Sequence, residues 1–139
     1  MDMQICCDCG NFRIEWDTKV SPIVARMCAC DYCTETKGEF VSDPSSLVTF
    51  WVVRPSNQNI VTHGHGTALF YECQNCGVII VTSEIEGELY CVLNAKALNI
   101  KGYSLDKNLK DFSAESVPER QARRKNNWSK ATMQSDQKS

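Results

Sequence analysis

Residues 11–16 (NFRIEW) alternate polar and apolar positions directly after Gly10, the period of a strand with one face buried. The same reading predicts strands over 38–41 (GEFV) and 47–53 (LVTFWVV), separated by an Asp-Pro-Ser-Ser turn. Leu69–Glu72 and Val78–Ser83 are predicted strands flanking the segment CQNCG. Glu88–Leu93 (ELYCVL) is another, rich in residues that suit a pleated surface. Ala95–Leu98 has the length of one helical turn. Short strands punctuated by Gly, Asn and Pro predict a mainly β domain.

The pattern changes after about Phe112, which divides the chain into a domain over 1–112 and a polar tail over 113–139. Within 115–139 six Lys or Arg (120, 123, 124, 125, 130 and 138) stand against Glu115, Glu119 and Asp136, so the tail is basic. SVPERQARRK predicts a helix start, with Ser116 as cap, Pro118 in the first turn and Glu119 three residues after the cap. The last ten residues are too polar to bury a face and are expected to be disordered. A basic helix packed through Trp128 is the plain reading of the stretch, and an acidic partner the sharper one.

Composition narrows the classes. At 139 residues the chain fits one domain with a modest core that gains from a metal staple. The net charge of −2 argues against a nucleic-acid surface over the whole molecule. LVTFWVV, the longest apolar run, is far too short to span a bilayer. MDMQICCDCG has neither the basic nor the apolar region of a secretory leader, so a cytoplasmic protein is expected. Nine cysteines in such a compartment point to metal or catalysis ahead of disulfides.

The cysteines fall in three clusters: Cys7-Asp-Cys9-Gly10, Cys28-Ala-Cys30-Asp-Tyr-Cys33 and Cys73-Gln-Asn-Cys76-Gly77. Spacing two at a strand end points both thiols of the first cluster to one face. The third is a zinc knuckle, whose glycine lets the chain turn with positive φ behind the second ligand. Together Cys7, Cys9, Cys73 and Cys76 supply four thiolates, enough for one closed structural zinc site. Cys28, Cys30 and Cys33 then remain as three ligands with an open fourth position, the mark of a catalytic zinc. The competing assignment is an ordinary zinc ribbon of Cys30, Cys33, Cys73 and Cys76 with the other thiols spare. Cys6 points away from Cys7 and is a core or surface thiol, and Cys91 in an apolar strand is a small buried hydrophobe. His63 and His65 in HGHG can offer a ligand or a proton shuttle if they face one way, although histidines in a glycine-flanked hairpin are more often exposed and inert.

CxCG, then CxCxxC about twenty residues on, then CxxCG after a gap of about forty resembles the glutathione-dependent formaldehyde-activating family, which includes centromere protein V. The likeness covers about residues 3–110, and Pro22 and Phe40 also stand where that family carries a proline and a phenylalanine around the triplet. It implies a compact β-tent-like fold of short antiparallel sheets and two zinc ions per chain. Cys7, Cys9, Cys73 and Cys76 would hold the structural ion, and Cys28, Cys30 and Cys33 the catalytic one. The implied activity is that of a carbon–sulfur lyase joining or releasing a small thiol, such as glutathione, and an aldehyde. Thr36–Phe40, Leu69–Glu72 and HGHG depart from the family's usual segments and bear on substrate identity more than on metal binding. Near the triplet, Asp31, Tyr32 and Glu35 are candidates for the general acid that the alkoxide requires. The expected partner is thus a small-molecule thiol or thiol adduct, with neither membrane nor nucleic acid. The alternative is a non-catalytic zinc module that binds protein or nucleic acid through the basic tail. A thiol protein of redox or metal-buffering role is a third reading.

Overall fold

A computed structural model describes residues 3–18, 23–28, 39–54, 56, 58–63, 68–100, 103–110 and 116–135. These contain β1 (Met3–Cys6), β2 (Phe12–Trp16), β3 (Val24–Cys28), β4 (Phe40–Val41), β5 (Leu47–Val52) and β6 (Gln58–His63). They continue with β7 (Ala68–Cys73), β8 (Gly77–Ile85), β9 (Glu88–Asn94), β10 (Ser104–Lys110), a helix α1 (Val117–Asn127) and β11 (Ser129–Ser135). The protein is mainly β, as its alternation predicts. No helix among the described residues is long and apolar enough to cross a membrane.

The strands meet at β9. Its one edge pairs antiparallel with β8, from Ile85–Glu88 to Ile80–Leu93. Its other edge is shared: β11 faces Tyr90 and Cys91, and β4 faces Leu93 and Asn94. Three arms therefore leave β9, namely β11–β5–β2–β1, β4–β3–β10 and β8–β7–β6. Most pairings are antiparallel, but β11 runs parallel to β5 and β10 parallel to β3.

Alternation builds the core between the arms. Phe12, Ile14 and Trp16 of β2 and Val48, Phe50 and Val52 of β5 are buried, while Arg13 of β2 and Leu47 at the start of β5 face out. In β8 the run Val78–Ser83 is buried throughout, because both faces of that strand are covered. Tyr71 pairs with Ile80 and Glu72 with Val78, which leaves Ile79 as the extra residue of a bulge. That bulge brings Ile79 and Ile80 both into the main core, while Val78 and Val81 join Ala68, Phe70 and Val92 in a second, smaller cluster. The turn over 95–100 caps the main core, with Leu98 N–H donating to Asn94 O at 3.1 Å and Ile100 N–H to Ala95 O at 3.0 Å.

The tail differs from expectation in one part. Its helix has the predicted cap: Glu119 N–H donates to Ser116 Oγ at 3.3 Å, and Ser116 N–H donates to Glu119 Oε1 at 2.9 Å. Disorder over the last ten residues is corrected for 130–135, which form β11 between β5 and β9. Composition could not reveal this strand because main-chain bonds, not apolar burial, secure it. Ser129 anchors it: buried, its hydroxyl accepts from Asp43 N–H at 2.8 Å and lies 3.0 Å from Ser46 Oγ. Trp16 Nε1–H in turn donates to Ser46 Oγ at 2.8 Å, so the Asp-Pro-Ser-Ser turn ties the tail to β2.

Candidate metal centre

Two turns from distant parts of the chain face each other. The first leaves β1: Gly10 N–H donates to Cys7 O at 2.9 Å, and Cys7 N–H to Phe12 O at 3.2 Å. The second joins β7 to β8, with Cys76 N–H donating to Cys73 O at 3.3 Å. Gly10 (φ +77°) and Gly77 (φ +91°) follow the second cysteine of each turn in the left-handed region, where an L side chain is strained. The glycine reading of the knuckle is met at both turns.

The sulfurs converge. All four Sγ atoms of Cys7, Cys9, Cys73 and Cys76 lie within 4.8 Å of one another. Cys7–Cys9 is 3.7 Å, Cys7–Cys73 4.0 Å and Cys9–Cys73 3.4 Å. Tetrahedral zinc with Zn–S of ~2.3 Å requires S···S separations of ~3.8 Å, so the donor set fits one zinc ion. Cys73 and Cys76 thus face Cys7 and Cys9, while Cys30 and Cys33, their partners in the ribbon alternative, lie outside the described residues.

The protein supplies N–H donors to the sulfurs. Phe12 N–H donates to Cys7 Sγ at 3.4 Å. The Asn11 backbone N–H, followed by the Cys73 thiol, holds Cys9 down at about 6. Burial, the leading influence, pushes Cys73 up and Cys76 up to about 12. Without a cation the cluster therefore concentrates negative charge on Cys9. With one bound, all four thiols ionise and the N–H donors offset the excess negative charge.

Asn11 matters in a second way that the sequence does not signal. It is fully buried, and its side chain clamps Arg54: Arg54 N–H donates to Oδ1 at 2.6 Å, and Nδ2–H donates to Arg54 O at 3.2 Å. That clamp fixes the turn bearing Cys7 and Cys9 against the end of β5. Cys7 and Cys73 are buried, whereas Cys9 and Cys76 are half-buried. Beside Cys76 an open groove of about 560 Å³ is lined by Asp8, Asn59, Glu72 and Lys96, so the centre is reachable from solvent on that side.

The remaining candidates are placed as follows. Cys28 ends β3, and Cys30 and Cys33 lie outside the described residues, as do Asp31, Tyr32, Glu35 and His65. His63 ends β6. Cys6 is exposed, which selects the surface of its two sequence readings, and Cys91 is fully buried as expected; Cys6, Cys7, Cys9, Cys73, Cys76 and Cys91 are free thiols.

No protein-family model and no curated protein matches the chain. A crystal structure of a Rhodobacter sphaeroides protein is similar, with a TM-score of 0.50 at 21% sequence identity, covering 75% of this chain and 100% of that one. At that identity the likeness is one of fold.

Proposed function

We propose that the protein is a zinc-dependent carbon–sulfur lyase of the glutathione-dependent formaldehyde-activating type, acting on the adduct of a small thiol and an aldehyde. The observation that carries the reading is the convergence of Cys7, Cys9, Cys73 and Cys76, which fits one closed centre. It leaves Cys28, Cys30 and Cys33 as a group of three, suited to a second zinc with an open position. A zinc ion held there supplies the Lewis acidity that keeps a substrate thiol ionised at neutral pH. In the condensing direction the thiolate sulfur attacks the aldehyde carbon, a C–S bond forms, and the carbonyl oxygen takes up one proton. In the lyase direction that proton leaves and the C–S bond breaks.

The tail gives the binding-module alternative less support than its composition suggests. Arg124 is buried, donating from Nη1 to Ser83 Oγ at 3.1 Å with its guanidinium 5.0 Å from the Trp128 ring. Lys125 pairs with Glu86, and Lys130 with Glu88 at 3.4 Å. Arg124 thus meets β8, Lys125 the β8–β9 turn and Lys130 the start of β9, so three of the tail's cations already have partners within the protein.

The test is thiol–aldehyde exchange measured by NMR, with formaldehyde and a panel of small thiols that includes glutathione. Wild type should accelerate exchange with at least one thiol, and Cys30→Ser should lose that acceleration while keeping its fold. Equal rates in the two proteins, or no acceleration by wild type with any thiol, would sink the proposal.

A further inference from the structure

Sheet edges in natural proteins are guarded by charge, proline, bulges or short length, because an open ladder pairs with whatever strand it meets. β10, at the end of one arm, follows that rule: it carries Asp106, Lys107 and Lys110, and its register with β3 shifts between Asp106 and Lys110. β1, at another end, is four residues long. β6 ends the third arm with none of these devices. Its sequence, QNIVTH, holds no Lys, Arg, Asp, Glu or Pro, and it pairs with β7 over six consecutive positions from Gln58–Cys73 to His63–Ala68 without a bulge. Among the described residues its other edge has no partner.

That edge also exposes apolar surface. Ile60 is 48% and Leu69 37% exposed. Leu69 pairs with Thr62, two positions from Ile60, so both side chains belong to one face of the sheet. An unguarded ladder and an adjoining apolar patch thus occupy the same place.

We propose that this edge is an interface with a second copy of the chain, formed by antiparallel pairing of β6 with β6 about a two-fold axis normal to the sheet. Such an axis keeps each face on its own side, so residues of equal parity come opposite. Centred on Ile60, it sets Ile60 against its own copy, Asn59 against Val61 and Gln58 against Thr62. No like charges meet, and the exposed isoleucines stack at the axis, flanked by the two Leu69 side chains. The same operation centred on β10 would set Lys107 against itself. It is this freedom from charge conflict that selects a second copy as the occupant.

The test is the mass of the full, zinc-loaded chain by sedimentation and light scattering in the upper micromolar range. Wild type should be a dimer. Ile60→Lys places two ammonium groups at the axis and should halve the mass, leaving zinc content and circular dichroism unchanged. Hydrogen exchange on the unaltered chain gives a readout that needs no variant: amides of β6 should gain protection as protein concentration rises. A monomeric wild type, an Ile60→Lys chain that remains dimeric, or β6 exchange independent of concentration overturns the interface. A monomer would leave the edge open for a strand of another protein.

Discussion

Gly77 has φ +91°, and beyond the glycine and its two chain neighbours no atom lies within 4 Å of the point a Cβ would occupy. Gly77→Ala therefore meets backbone strain without a clash, and should cost about 1–2 kcal/mol. The expected result is a lower thermal midpoint with zinc content unchanged. Cys76→Ser removes a donor instead and forfeits much of a site worth on the order of 10 kcal/mol, so both metal and fold should be lost. Cys91→Ser, in a fully buried position outside the cluster, should keep all metal and lose only stability through its buried hydroxyl. Retained zinc and an unchanged midpoint in Cys76→Ser would remove the assignment. At this scale the four thiols were legible, because ligand spacing and a following glycine are local signals. Asn11 was not, since its clamp on Arg54 is a contact between residues far apart in sequence.

Among the elements, β2 could be read from alternation, β4, β5, β7, β8 and β9 from short runs of strand-favouring residues between turns, and α1 from its cap. Four strands could not. β6 has a single apolar pair, Ile60 and Val61, among polar neighbours, and β10 (SLDKNLK) carries Asp106, Lys107 and Lys110 with only Leu105 and Leu109 apolar. β3 (VARMC) has no clean period, and β11 (SKATMQS) is held by hydrogen bonding on both edges. For α1, Ser116→Ala should cost about 1 kcal/mol and fray the first turn, seen as faster amide exchange there. The Ser116 backbone N–H holds the Glu119 carboxyl below its usual value. A depressed carboxyl stabilises the helix at neutral pH, and that contribution is lost as pH falls through the folded value. The protection factors of amides in this turn, which are corrected for the intrinsic pH dependence of exchange, should thus fall on acidification in wild type, and much less so in Glu119→Gln. Equal acid sensitivity in the two proteins would contradict the capping account.

For the molecule as a whole, β11 and the cysteine cluster bridge the same two parts. In the ladder, the arm carrying Cys7 and Cys9 reaches β9 through β11. The four thiols join that arm to the turn between β7 and β8 a second time. Cutting the chain after Ser129 should therefore lower the thermal midpoint and make the remaining fold far more sensitive to zinc chelation than the full chain is. A truncated protein with the full-length midpoint would show that β11 contributes nothing. Two zinc centres with unequal duties are the central claim, and the direct measurement is elemental zinc per chain in wild type and Cys30→Ser, with circular dichroism on each. The expected values are two zinc ions in wild type and one in a Cys30→Ser protein that stays folded, because under the proposal Cys7, Cys9, Cys73 and Cys76 would hold their ion unaided. A single zinc in wild type, or a Cys30→Ser chain that unfolds as Cys76→Ser should, would contradict it.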